Sequence, residues 1–240
     1  MKEELKEITI EEVHKKLRRT TPGKGDAVFL LRFNGNLVGS CFAIDVTHIL
    51  SARHNVYDDT AIFDINDTAE VLNASTVASI TSSVVAAPIP VKVLCCSNPP
   101  LGGCIPDSDD WIVFERTDGG TFSLTIPVMP TIDAELKKRP PYVTIYHFPI
   151  SFQNVVKSSN DLHRNLNRII GVENGELKCN DITFISKGSC GGPYVDNTSG
   201  CAIGFHIAGA SSYEGKTNKQ LVEAINNAPV GLHFGTASTY

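Results

Sequence analysis

The chain has 240 residues, 42% apolar and 20% charged, with 21 Lys and Arg against 26 Asp and Glu, a formal charge of −5. That length buries a real core, and the composition is too apolar for a disordered chain. No apolar run reaches the roughly 18 residues that cross a bilayer, and the mild acidity argues against a protein built chiefly to hold nucleic acid or an anionic membrane.

The start, Met1-Lys2-Glu3-Glu4-Leu5-Lys6, carries no apolar signal core, so the expectation is a soluble chain in the cytoplasm. Seven irregularly spaced cysteines do not read as a disulfide framework, and at least one free, reactive thiol is expected. Thr9-Ile10-Glu11-Glu12 fits a capping box, with Ile8 and Val13 placed for a hydrophobic staple. Ile10, Val13 and Leu17 then share one face, which predicts a short amphipathic helix over residues 1–20 docked on a globular body. Lys15, Lys16, Arg18 and Arg19 suit a helix C-terminus, or a contact with nucleic acid.

From Thr20 onward the pattern turns to short β-type runs. Ala27–Phe33 leads into Asn34-Gly35, a type I′ hairpin signal, and Leu37–Ile44 returns. Further strands are predicted at Ala61–Ile65, Val91–Cys95, Trp111–Phe114 and Phe122–Val128. The second half offers Tyr142–Phe148, Arg168–Glu173, Glu176–Cys179, Ile182–Ile185 and Cys201–Ile207, with a second hairpin turn at Asn174-Gly175. Thr217-Asn218-Lys219-Gln220 resembles a capping box opening a helix through Ala224. Two blocks of short strands predict an all-β fold of two antiparallel barrels or sandwiches. The divisions are 21–128, a Pro- and charge-rich connection at 129–141, and 142–240.

The chemistry concentrates in Lys187-Gly188-Ser189-Cys190-Gly191-Gly192-Pro193. Glycines around a small nucleophile allow tight turns that converge N–H groups on one point, as an oxyanion hole requires. A Gly-rich turn with a buried Cys is the bland alternative. Ser189 competes as nucleophile, but Lys187 stands where the Gly-x-Ser-x-Gly elbow needs its first glycine. Upstream, Gly39-Ser40-Cys41-Phe42-Ala43-Ile44 precedes Leu50-Ser51-Ala52-Arg53-His54, and Asp109-Asp110-Trp111-Ile112-Val113-Phe114 lies between that His and the Cys.

These three stretches resemble the chymotrypsin-fold proteases, with His, Asp and nucleophile in that chain order. The resemblance implies two six-stranded-type barrels, a cleft between them, and His54 as general base. Asp110 gives the better register as third member, while Asp109 would point to the opposite strand face. His48, inside an apolar run, reads as structural. Cys190 in place of Ser makes the chain similar to the 3C-like cysteine proteases of positive-strand RNA viruses. A thiol ionises more readily than a hydroxyl, so a His partner activates it easily. The family motif implies oxyanion donors at the backbone N–H groups of Gly188 and Cys190.

Sixteen residues past Cys190, His206 stands in Gly204-Phe205-His206-Ile207-Ala208-Gly209. In the resembled family this Gly-x-His-x-x-Gly strand lines the S1 pocket, implying a polypeptide substrate with Gln or Glu at P1. The family's pocket threonine is replaced by Ile185, with Ser186 or Thr183 as substitutes. The expected activity is cysteine endopeptidase processing of a viral polyprotein, without cofactor or metal. Cys95, Cys96 and Cys104 lack zinc-ligand spacing. The alternatives are a cellular trypsin-like peptidase preferring Glu, and a catalytically silent protein- or RNA-binding module. RNA contact, if any, would fall on Leu136-Lys137-Lys138-Arg139 or on His163-Arg164 to Arg168.

Overall fold

The computed structural model describes residues 23–57, 64, 67–73, 87–97, 110–129, 141–148, 162–173, 176–179, 188–208 and 214–217. The expected helix over 1–20, most of the connection at 129–141, the strand Ile182–Ile185, the turn Asn174-Gly175, and Asp109, Thr183 and Ser186 lie outside these residues. So do the predicted strand Ala61–Ile65, apart from Asp64, and the proposed helix after Thr217.

Twelve strands appear among the described residues: β1 (Val28–Phe33), β2 (Asn36–Ala43), β3 (His48–Ser51), β4 (Thr68–Leu72), β5 (Ile89–Cys96), β6 (Ile112–Arg116), β7 (Tyr142–His147), β8 (His163–Glu173), β9 (Glu176–Cys179), β10 (Pro193–Asp196), β11 (Ala202–Ala208) and β12 (Glu214–Thr217). The first six pair in the order β1-β2-β3-β6-β5-β4 and close on themselves. The last six pair in the order β10-β11-β12-β9-β8-β7, with β7 returning to β10. All these pairings are antiparallel.

The β1–β2 hairpin turns on Asn34 (φ 49°) and Gly35 (φ 79°). Two consecutive positive φ values make the type I′ geometry that the Asn-Gly pair predicts. β1 reads as a continuous apolar run because both its faces are covered. Phe29 and Leu31 join Cys41, Ile49, Val93, Ile112 and Phe114 inside the first barrel. Val28 and Leu30 face the opposite way and join Phe42, Leu50 and Trp111 in a second cluster.

That second cluster also takes Phe148, Val195, Ala202 and Phe205 from the second half of the chain. Phe42, Phe148 and Phe205 are each at most 1% exposed. Burying each contributes roughly 2–3 kcal/mol, so the seam between the halves is a core in its own right. A third cluster, Val143, Ile145, Ile169, Leu177, Tyr194 and Ile203, fills the second ring.

One strand prediction is corrected. Residues 122–128 form no strand: Phe122 and Ile126 each donate a single backbone bond, to Val46 and Ala43, and Val128 makes an isolated parallel bridge to Ala202. Pro127, with no N–H, interrupts the ladder that a regular strand needs. β4, β10 and β12 were not predicted from the sequence.

Candidate active site

The register of β3 against β6 pairs Ser51 with Ile112. Because the strands are antiparallel, the chain beyond Ser51 and the chain before Ile112 leave the sheet at the same end. His54, in a short 3-10 turn at Arg53–Asn55, therefore meets Asp110. The contact is double: Asp110 Oδ1 accepts the His54 backbone N–H at 2.9 Å, and Asp110 Oδ2 lies 2.5 Å from His54 Nδ1.

The His54 side chain is 37% exposed at one edge while protein encloses the rest, and the Asp110 side chain is 14% exposed. Burial opposes a charged imidazole. It is outweighed by the hydrogen bonds to Asp110 and Cys190 and by both of their charges, which push His54 up to about 10. For Asp110, burial pushes upward too. The His54 ring, its charge, and the backbone N–H groups of His54 and Arg53 win, holding the carboxyl below its ordinary value.

The Cys190 turn belongs to the second barrel but is fastened to the first. Cys190 O accepts the Ser40 N–H and the Asn55 Nδ2, both at 2.9 Å. Ser40 Oγ donates to Gly188 O at 2.7 Å and accepts the Phe148 N–H at 2.8 Å. Ser51 Oγ donates to Ser40 O at 2.8 Å, and Asn55 Nδ2 also reaches Ser51 Oγ at 3.1 Å. Gly191 (φ 89°) is required here, since a Cβ would fall 2.0 Å from Ser40 O.

β11 forms the adjoining wall. Gly191 N–H donates to His206 O at 2.7 Å and His206 N–H to Gly192 O at 2.8 Å, while Cys190 Sγ lies 3.5 Å from Ile207 O. His206 is 1% exposed, with Nδ1 2.8 Å from the Tyr194 hydroxyl. Burial first, then the nearby His147 and His54, lower its pKa to about 3, so the ring is neutral.

The structure thus brings His54, Asp110 and Cys190 together, with Gly188 in the same turn and His206 beside it. His48 instead holds Asp45, its Nδ1 2.8 Å from Asp45 Oδ2 in the β2–β3 turn. Ser189 is fully buried, its hydroxyl on His147 at 2.8 Å. The six described cysteines, Cys41, Cys95, Cys96, Cys179, Cys190 and Cys201, are all free thiols. Arg164 and Arg168 are exposed on β8, and the Arg168 guanidinium lies 5.8 Å from the centre of the Tyr142 ring. Sequence reasoning missed Ser40, Ser51, Asn55 and His147. The small residues Gly39 and Gly191, and the amide directly after His54, were the available signals.

No family model and no curated protein matches the sequence. Among solved structures the chain is similar to neuropsin, a serine protease expressed in the limbic system of mouse brain. The TM-score is 0.59 at 12% identity, covering 86% of this chain and 95% of that one. An identity that low speaks to the backbone alone, and what it shows is a chymotrypsin-like fold.

Proposed function

We propose that the chain is a cysteine endopeptidase, and the observation that carries this is His54 held between Asp110 and Cys190. Beside the Asp110 carboxylate the imidazole favours its charged form, so it accepts the Cys190 thiol proton. The thiolate attacks the scissile carbonyl, a C–S bond forms, and the carbonyl oxygen becomes an oxyanion. The N–H groups of Gly188 and Cys190, which have no acceptor among the described residues, are its donors. His54 then gives its proton to the departing amine, leaving an acyl-enzyme. Water, deprotonated by the same imidazole, hydrolyses it. Asp110 keeps the His54 proton on Nδ1 throughout and stabilises the imidazolium without taking that proton.

His206 supports a preference at P1. The Tyr194 hydroxyl holds Nδ1 at 2.8 Å, and a neutral imidazole in this wall suits an acceptor on the substrate. A neutral donor suits the amide of Gln better than the carboxylate of Glu, which would want a cation. The resemblance to the 3C-like enzymes makes polyprotein processing in a host cytoplasm the corresponding biological role.

The test combines alkylation and cleavage. Iodoacetamide should label Cys190 faster than any other thiol, and Cys190→Ala should abolish cleavage of a P1-scanned peptide library in which Gln leads. Uniform labelling of the thiols with no cleavage would refute the peptidase reading. Unchanged Gln cleavage by His206→Ala would remove His206 from the pocket.

A further inference from the structure

We propose that His147 is a positioning residue for this reaction: by holding the Ser189 hydroxyl it sets the turn that presents the Gly188 and Cys190 N–H groups to the scissile carbonyl. The inference rests on the peptidase reading and adds to it a residue that never touches substrate.

Ser189 stands between the two proposed donors, so whatever orients Ser189 orients both flanking peptides. Its side chain and that of His147 are both 0% exposed, and the Oγ to Nδ1 distance is 2.8 Å. On the far side of the ring, His147 Nε2 lies 3.4 Å from Asn165 Oδ1. A carboxamide oxygen only accepts, so Nε2 carries the proton and Nδ1 is left as an acceptor. The Ser189 hydroxyl therefore donates to His147, and the order of donation runs Ser189 to His147 to Asn165.

The surroundings keep that direction. Burial, then the charge of His163, lower the His147 pKa to about 4 against the Asn165 bond, so the ring stays neutral and Nδ1 stays unprotonated. Among the described residues, the other titratable groups near it are His163 on β8, with ring centroids 5.7 Å apart, and His206 on β11. The end of β7 also presses directly on the turn. A Cβ on Gly192 would fall 2.3 Å from Tyr146 O and 3.0 Å from His147 Cβ. The main chain of residue 189 is held as well, Ser189 O accepting the Gly192 N–H at 3.0 Å. What His147 adds is a side-chain anchor for Ser189, from inside the second barrel.

The experiment compares the full chain with His147→Gln, His147→Asn and Ser189→Ala. Turnover of a peptide with Gln at P1 is measured beside iodoacetamide alkylation of Cys190. Alkylation needs the thiolate and imidazole but develops no oxyanion. Expected are a fall in kcat of roughly a hundredfold for His147→Gln and Ser189→Ala, the scale of one lost oxyanion donor. KM and the alkylation rate should stay near wild type, and the double variant should fall no further than either single one. The Asn carboxamide oxygen falls near the place of Nδ1, so His147→Asn should recover about tenfold over His147→Gln, the worth of one hydrogen bond. Normal kcat in Ser189→Ala, or kcat and alkylation falling together, overturns the inference and leaves the peptidase reading standing. A wild-type chain that cleaves no peptide and labels Cys190 no faster than Cys201 sinks the reading first, and the inference with it.

Discussion

Two groups of histidine in this molecule share a side chain and differ in charge. At the seam between the two halves, His54 is pushed up to about 10, with Asp110 and Cys190 as partners. Inside the second barrel, His147 and His206 are lowered to about 4 and 3. Burial acts in the same direction on all three. The sign is decided by the neighbours: His54 faces groups that become anions, whereas His147 and His206 face hydroxyls, a carboxamide and other histidines. The lesson is that one residue type is held charged in the first setting and neutral in the second.

Asp110→Asn breaks the comparison most severely. It removes the carboxylate that favours the imidazolium, so the His54 pKa drops toward that of the buried pair. The active ion pair then persists only to a lower pH, because the imidazolium is lost as pH rises through the His54 value. We expect kcat/KM to fall by about a hundredfold or more, less than the roughly ten-thousandfold of a serine triad because a thiol ionises more readily than a hydroxyl. The alkaline limb of the Cys190 alkylation profile should move down in pH. An unchanged alkaline limb would show that Asp110 does not set the His54 charge.

The buried pair makes the opposite prediction, for stability. Each has a folded pKa below its ordinary value of 6.5. The unfolded chain therefore binds more protons between that value and the folded one, and stability is lost as pH falls through this window. For His147, fully buried, the loss by about pH 4 is on the order of 3 kcal/mol. Thermal melts from pH 7 down to 4 should show it. His147→Asn, which cannot titrate, should flatten the slope. A variant with the wild-type slope would mean that His147 is already charged in the fold.

The strands were largely legible because their signals are local, and His54, Asp110 and Cys190 were read from the resemblance of their flanking motifs to the chymotrypsin-fold proteases. Asn34-Gly35 encodes its own turn, and His54 and Asp110 lie beside the ends of two readable apolar runs. The fastening of the seam was not legible, since its partners are far apart in the chain and carry no motif of their own. Ser40 meets Gly188 and Asn55 meets Cys190, contacts that only the closed barrels create. β10 was hidden because its four residues follow Gly191-Gly192 and open with a proline. Alternation in Thr68–Leu72 was too short to stand out, and Phe122–Val128 misled because apolar content outran backbone bonding.

Asn55 sharpens the comparison at its smallest scale, because it ties the chain directly after His54 to the carbonyl of Cys190. Its Nδ2 donates to Cys190 O and to Ser51 Oγ, and its carboxamide fills the place where a Cβ on Gly39 would stand, 2.2 Å from Nδ2. Asn55→Ala removes both bonds but leaves Cys190 O with the Ser40 N–H, so the turn keeps one of its two donors. A loss of about 1–2 kcal/mol in stability is expected from denaturant unfolding, the range for a hydrogen-bonded group at a partly buried seam. Asn55→Asp is nearly the same shape but sets a carboxylate against the Cys190 carbonyl, and it adds a second anion near His54. It should therefore destabilise more than Asn55→Ala while holding the His54 charge as high as wild type or higher. Equal stability losses in the two variants would mean that Asn55 acts by filling space over Gly39, and that the seam is held by Ser40 alone.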